Sequence, residues 1–547
     1  RLNPVSRSVQ IGGFTLERMV QSAASDALTA LDQLPVTEHQ TIIANDILPE
    51  IRQRLEFLNL VGLTYLSLDR SAKTLSGGES QRIRLAAQLG SNLRGVLYVL
   101  DEPTIGLHPR DNHRLLDALS KLAEHGNSLI IVEHDEDTMR RADHIIDLGP
   151  RAGNLGGELI ASGTLAQILK HPTSLTAKFL RAPLHHPLGG KRRPLASTGE
   201  WIEVHGAVCH NLKGVDFKIP IQRLTVVSGI SGSGKSSLVR GVLVPAVKHA
   251  IARGRKPTIS EEWDSITGCD KIGAVLEVDQ SPIGKTSRST PATYIKVLDE
   301  IRKVFASLPD SRMRGYSASR FSFNNAGGRC ESCLGQGIIK LEMTFLPASY
   351  MPCEECGGRR YNKQTLEVLY NDKSIGDILD LAVEQAAGFF SAVPKIKRSL
   401  DLLVETGLGY LKLGQPSPTL SGGEAQRLKL VTQLARRSTP KAEELRTTRI
   451  GKSTLYVLEE PTIGLHTADV LNLIHVLHRL VDEGGTVVVI EHHIDLVAEA
   501  DYLIDIGPEA GAEGGELIAA GTPEEVSTHA ESRTAPFLLE ALARKGG

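Results

Sequence analysis

Gly229-Ile-Ser-Gly-Ser-Gly-Lys235-Ser236 has the residue types and spacing of a phosphate-binding loop. Gly229, Gly232 and Gly234 let backbone N–H groups close around phosphate oxygens. Lys235 is placed to reach the outer phosphates and the Ser236 hydroxyl to ligate Mg2+. A chance glycine-rich turn would lack the apolar run Leu224–Val227 before it and the helical pattern after it. Two carboxylate pairs carry complementary chemistry. Leu97-Tyr-Val-Leu runs into Asp101-Glu102, and Leu455-Tyr-Val-Leu runs into Glu459-Glu460. Each run predicts a buried strand with two acids at its C-terminal end, where parallel sheets bind ligands. The first acid suits Mg2+, held directly or through water; the second suits polarising an attacking water. A lone acid pair at a strand end is ordinary surface chemistry, but here each pair precedes the same Pro-Thr-Ile-Gly-Leu-His. His134 and His492 each follow an apolar strand and a Glu, as a γ-phosphate sensor would. Gln280 falls between the loop and a candidate inserted region.

A second constellation is Cys330-x2-Cys333-x19-Cys353-x2-Cys356. Two such knuckles supply four thiolates for tetrahedral Zn2+. The spacer holds Ile338–Leu346, which reads as a hairpin. The metal is either a structural brace alone or part of a nucleic-acid surface. Lys303, Arg312, Arg314 and Arg320 alternate with Phe305, Tyr316, Phe321 and Phe323. That run offers phosphate contacts with interleaved aromatics, or else a solvated face.

The elements that must position these groups come as a repeat. Glu102 recurs as Glu460, Glu133-His134 as Glu491-His492 and Asp147-Leu-Gly-Pro as Asp505-Ile-Gly-Pro, all at an offset of 358. Leu75-Ser76-Gly77-Gly78-Glu79 recurs as Leu420-Ser421-Gly422-Gly423-Glu424 at an offset of 345. The second copy therefore holds 13 extra residues, placed within 438–451 as a polar loop. One fold is used twice, yet the phosphate loop occurs once. Arg1-Leu2-Asn3 aligns with Arg360-Tyr361-Asn362, directly after the second cysteine knuckle. The expectation is a chain truncated at its N-terminus rather than a one-site machine. Residues 1–182 form the C-terminal part of a first module, 183–200 a breaker-rich exposed linker, and 201–547 a second module. An inserted region spans about 255–415, with the zinc module at 327–362. Strands are expected over Ile202–Asp216 and Leu224–Val227. Net charge is −2, so any basic surface is local. No run of ~18 apolar residues suggests a membrane span. Six cysteines, four in metal-ligand spacing, fit a reducing cytoplasm.

These residues resemble the ABC-type ATPases, and more narrowly the UvrA family, the damage-sensing subunits of bacterial excinucleases. Asp279-Gln-Ser-Pro-Ile-Gly-Lys285-Thr-Ser-Arg288-Ser289, Arg314-Gly-Tyr316, and Arg320-Phe-Ser-Phe-Asn running into Gly327-Gly-Arg-Cys carry the resemblance, with both Pro-Thr-Ile-Gly-Leu-His blocks and the cysteine quartet. It covers essentially the whole chain. It implies an α/β fold of tandem ABC-type P-loop modules, the first incomplete, with an inserted zinc-binding module. It implies a damage-recognition ATPase of nucleotide excision repair that is not itself a nuclease, with ATP, Mg2+ and Zn2+ as cofactors. One composite site would unite Gly229, Gly232, Gly234, Lys235, Ser236, Ser237, Gln280, Glu459, Glu460 and His492 with Ser76, Gly77 and Gly78. The other would keep Asp101, Glu102, His134 and Ser421, Gly422, Gly423 without a phosphate loop. Lys285, Arg288, Arg312, Arg314 and Arg320 are the implied DNA contacts. Implied partners are damaged double-stranded DNA, a second copy in a homodimer, and UvrB, whose main docking domain in the family lies upstream of this region. The competing readings are a transport- or translation-type ABC ATPase, which would lack the zinc quartet, and a catalytically weak DNA-binding fragment. Two departures stand out. Glu459 replaces the usual Asp, and a shift of ~1 Å at a reacting centre can cost ~10²-fold in rate. Asn325-Ala326 replaces the usual Val-Lys, removing one basic contact.

Overall fold

Strict alternation along five apolar runs builds the second half. Leu455 and Val457 face one apolar core while Tyr456 and Leu458 face another, so the strand is buried on both sides. A six-stranded sheet results, ordered Ile272–Val278, Ser453–Glu459, Thr486–Ile490, Leu224–Ser228, Tyr502–Gly507 and Glu516–Gly521. All neighbours are parallel except the last pair. One face carries helix Thr467–Asp482 and the inserted helices; the other carries the helix after the phosphate loop and a three-stranded antiparallel sheet. That small sheet resolves the expected strand over 202–216 into Trp201–Ala207 and Val215–Pro220, with a turn between them.

This computed structural model describes residues 3–11, 13–35, 38–72, 77–89, 94–150, 153, 156–195, 200–253, 260–341, 349–437 and 453–544. Ser76 and the extra loop at 438–451 lie outside the described residues. No described helix is long and apolar enough to cross a membrane.

The first half repeats the second element by element. Leu97–Asp101 pairs in parallel with Ser128–Val132, and helix Pro109–Glu124 matches Thr467–Asp482. Even the caps repeat: Asn3 Oδ1 accepts from Ser6 N–H at 2.8 Å, and Asn362 Oδ1 from Thr365 N–H at 3.0 Å. The sheet, however, comes in two pieces. Ile145–Gly149 pairs, among the described residues, only with Glu158–Gly163. Among the described residues, no strand stands between Ser128–Val132 and Ile145–Gly149, the place the loop strand Leu224–Ser228 fills in the second half. The expectation of a buried strand at Leu97–Asp101 is therefore corrected. Leu97 is 57% and Val99 66% exposed, because only one face of the strand is covered.

The linker is not the exposed connector its composition suggests. His186 is buried, with Nδ1 2.6 Å from Glu499 and Nε2 3.1 Å from Asp495. Arg192 donates to the carbonyls of Ala498 and Ala500, and Arg193 to Asp482 and Asp501. Those charge-assisted bonds make it a strap along the second half.

Candidate active site

The strand Leu224–Ser228 delivers its chain into Gly229, where a side chain would run into the carbonyl of Ile506. Gly232 and Gly234 have φ of +80° and +113°, open to glycine without strain. Lys235 is buried and donates to the carbonyls of Gly229 and Ile230 at 2.9 and 2.8 Å, so its ammonium lies within the loop. The following helix starts as π-helical turns over Ser237–Leu243. Ser237 turns aside towards His210 Nδ1, at 3.4 Å.

The carboxylate strand brings the acids to this loop. Ser236 Oγ donates to Glu459 Oε1 at 2.9 Å, and Arg240 holds the other oxygen at 2.7 Å. The longer Glu459 side chain thus reaches the hydroxyl that suits Mg2+, and hydroxyl plus carboxylate form an oxygen donor pair of the kind this ion takes. Glu460 follows in a left-handed conformation with φ +44°, as does Glu102. For a non-glycine residue that is strain worth about 1–3 kcal/mol, tied to sites that need it. Burial pushes the Glu460 carboxyl up to about 7; neighbouring Glu491 adds to the rise and Lys235 opposes it. Burial likewise pulls Lys235 down to about 8, with Glu460 the main opposing influence. His492 Nε2 stands 3.8 Å from Glu460 Oε1, and burial holds its ring neutral. Gln280 Nε2 donates to Glu460 O at 3.3 Å.

The first half completes this site. Gly106 packs on the Glu460 carboxylate, with a Cβ there meeting Oε2 at 3.0 Å, and Ser231 Oγ donates to Gly106 O at 3.1 Å. The Tyr65 ring covers Gly232 and its hydroxyl donates to Glu79 Oε1 at 2.7 Å, bringing the start of helix Gly77–Leu89 to the loop. On that helix Arg82 is buried, and its Nε and Nη1 have no hydrogen-bond partner among the described residues. Its charge is felt by both Glu460 and His492. Among the described residues, His492 Nδ1 and Ser233 Oγ also have no partner, and both are buried. Unpaired buried donors beside a glycine cradle are what a bound polyphosphate would satisfy.

The other half-site mirrors this one. Glu102 lies 3.7 Å from His134 Nε2, and a Cβ at Gly464 would meet its carboxylate at 3.2 Å. Burial raises the Glu102 carboxyl. Tyr410, bonded to Glu424 at 2.6 Å, packs on Gly153 as Tyr65 packs on Gly511. Ser421 caps Glu424 N–H at 3.2 Å, while Gly422 lies against Gln280 and Gly423 against the carbonyl of Ile463. Asp101 ends its strand beside these groups with the Gln81 amide on its carbonyl.

The four cysteine sulfurs lie within 4.8 Å of one another and all four residues are buried. The Cys330–Cys353 and Cys333–Cys356 separations are 4.0 and 3.8 Å. Tetrahedral zinc with bonds of about 2.3 Å sets sulfurs about 3.8 Å apart, so the quartet fits. The hairpin beside it pairs Ile338–Leu341 with Ser349–Pro352, placing its second strand beyond the expected 338–346.

The basic residues divide. Lys285 and Arg312 are exposed, and Arg314 is exposed in an ion pair with Glu367 at 2.6 Å. Arg288 donates to Leu334 O at 2.9 Å, and Arg320 bonds Thr365 and Gln364 while stacking on Tyr316. Phe305, Phe321 and Phe323 are core residues, so the aromatic alternation marks packing and not a stacking platform.

The chain is 54% identical over 544 residues to UvrABC system protein A of Thermus thermophilus, covering 98% of this chain and 55% of the relative. It is 51% identical over 545 residues to the protein of that name from Staphylococcus aureus, covering 100% of this chain and 56% of the relative. The crystal structure of UvrA2 from Deinococcus radiodurans superposes with a TM-score of 0.88 at 44% identity, covering 99% of this chain and 65% of that one. The chain spans about half the length of the curated relatives it matches. No protein-family model matches it.

Proposed function

The chain belongs to the UvrA family, and from that premise we propose that it is an ATP-hydrolysing, DNA-binding part of a damage-recognition protein of nucleotide excision repair. The observation that carries this reading is the meeting of Gly229–Ser236 and Glu460 with Tyr65, Gly106 and Arg82 of the other half. A site assembled from two halves of one chain opens and closes with their relative motion, as a conformational cycle driven by nucleotide requires. In this reading Lys235 and the loop N–H groups bind the phosphates. Glu460 takes the proton of the attacking water, with His492 and Gln280 positioning at the γ-phosphate end. Ser76, Gly77 and Gly78 close the site from the first half. Mg2+ held near Ser236 and Glu459 would offset phosphate charge. Asp101, Glu102, His134, Ser421, Gly422 and Gly423 are the second half-site.

Zinc at the cysteine quartet would brace the insertion. Lys285, Arg312 and Arg314 are the DNA-facing candidates that remain, for double-stranded damaged DNA; Arg288 and Arg320 support the fold around them. A homodimer, a UvrB-type partner and a cytoplasmic setting belong to the same proposal. The decisive assay is ATP turnover by the purified chain against Lys235→Ala, with and without DNA. Turnover lost in the variant is expected; turnover that does not depend on Lys235 would sink the reading. DNA affinity should fall steeply between low and moderate salt, since phosphate contacts release counterions.

A further inference from the structure

The Pro-Thr-Ile-Gly-Leu-His loop of the first half continues past Gly106 into His108, which is wholly buried against the second half. Its ring lies edge-on to His492 and Phe537, with centroids 6.0 and 5.8 Å away. Burial pulls His108 down to about 3, so the ring is neutral. Its Nδ1 accepts the Arg110 backbone N–H at 3.2 Å, which leaves the proton on Nε2. Nε2 therefore donates to Thr534 Oγ1, 3.2 Å away. Thr534 in turn donates to Asp505 Oδ1 at 2.9 Å, and Ser532 donates to Asp505 Oδ2 at 2.6 Å. Ser228 Oγ, 3.2 Å from Thr534 Oγ1, fills its remaining lone pair. Ser228 is the last strand residue before Gly229, and Asp505 sits beside it in register on the next strand. From His108 through Thr534 to Asp505 each group donates to the next, and Ser228 donates to Thr534 from the floor of the phosphate loop.

The same arrangement occurs a second time, at the offset of the repeat. His466 Nδ1 accepts the Ala468 N–H at 3.2 Å, and Nε2 lies 3.4 Å from Thr176 Oγ1. Thr176 donates to Asp147 Oδ1 at 2.9 Å, Ser174 donates to Asp147 Oδ2 at 2.5 Å, and Phe179 stands edge-on to His466. Two independent occurrences across the two halves argue against a fortuitous contact.

We propose that His108, Thr534 and Asp505 are positioning residues: a latch that fixes the first half's loop to the floor of the phosphate loop and so holds Gly106 against Glu460. His466, Thr176 and Asp147 form the equivalent latch beside Glu102. The effect on turnover rests on the ATPase reading above; the latch itself does not. Displacement of a catalytic constellation by ~1 Å can cost ~10²-fold, so a hydroxyl this far from the phosphates can still govern rate.

Thr534→Val removes the hydroxyl at nearly constant volume, Thr534→Ser keeps it, and His108→Phe breaks the same contact from the other side. Hydrogen exchange on the full chain reads the latch directly. Amides of residues 104–112 should exchange about tenfold faster in Thr534→Val and His108→Phe, and near the wild-type rate in Thr534→Ser. Thr176→Val should speed residues 462–470 and spare 104–112. In Thr534→Val, kcat should fall about tenfold with KM for ATP within about twofold, and Thr534→Ser should restore it. Unchanged exchange at 104–112 in both Thr534→Val and His108→Phe would overturn the latch. Faster exchange with undiminished kcat would overturn its positioning role. Faster exchange in a chain whose turnover ignores Lys235 would instead sink the ATPase reading and leave the latch standing.

Discussion

In the proposed reaction Glu460 takes the proton, and its surroundings make its protonation readable. A carboxyl raised to about 7 by burial is only partly ionised near neutrality. A proton acceptor must be ionised, so turnover should rise with pH through about 7 and fall again as Lys235 loses its proton above about 8. Stability runs the other way. The folded state holds this proton more tightly than the unfolded chain, so stability from Glu460 is greatest at low pH and falls as pH rises from the ordinary carboxyl range to about 7. Glu460→Gln should abolish the rise in turnover and lower kcat by about 10²–10⁴-fold, with ATP still bound. A variant that kept the wild-type pH profile would mean another group takes the proton. At the Glu459 departure, the longer side chain reaches both Ser236 and Arg240.

At the scale of elements, the cysteine module offers the cleanest perturbation. Its two knuckles are joined by the hairpin ladder of Ile338–Leu341 with Ser349–Pro352 and by bonds such as Cys330 N–H to Arg360 O and Cys353 N–H to Gly337 O, each 2.9 Å. A bound ion would add to what holds them, since structural zinc contributes folding energy outright. Metal analysis should find one zinc per chain, lost in Cys353→Ser. A strong chelator should open residues 330–360 to protease while the sheet around Leu224–Ser228 stays protected. Protease resistance unaltered by chelation would mean the thiols brace nothing. The glycine loop, the acid pairs, the two histidines and the quartet could be singled out because their residue types are local, and for the acids and histidines because the spacing repeats. Burial was less so. Leu97–Asp101 and Leu455–Glu459 read alike, yet only the second has sheet neighbours on both sides. Phe305, Phe321 and Phe323 read as a surface run because Lys303, Arg312, Arg314 and Arg320 are interleaved with them in sequence, yet all three side chains are buried. Tyr65, Arg82 and Thr534 lie outside the motifs, and Asp505, inside a repeated block, had been given no role. Ser174, Thr176 and Phe179 recur as Ser532, Thr534 and Phe537 at the same 358, a signal present in the sequence but carried by residues with no chemistry of their own.

The molecule as a whole is two copies of one design with unequal cores. The second half buries its sheet on both faces, with Val226, Val488, Val489 and Leu503 fully enclosed. The first half leaves Val99, Ile130, Val132, Ile146 and Leu148 more than half exposed on strands that each have one paired edge. Full burial of such a side chain stabilises by about 1.5–3 kcal/mol, so the halves differ by several such contributions. Heating should therefore give two transitions, with residues 97–163 losing protection in the first. Apolar strands with an unpaired edge also template association, so light scattering should rise with concentration at temperatures below that transition. Val99→Thr, Ile130→Thr and Ile146→Thr together should suppress the scattering. Threonine keeps the β-branched preference for a strand, and exposed positions tolerate change within about 0.5 kcal/mol each, so both transitions should stay within a few degrees of wild type. A single transition would show that the two halves melt as one unit, and a triple variant whose first transition collapses would show that these strands are covered in solution.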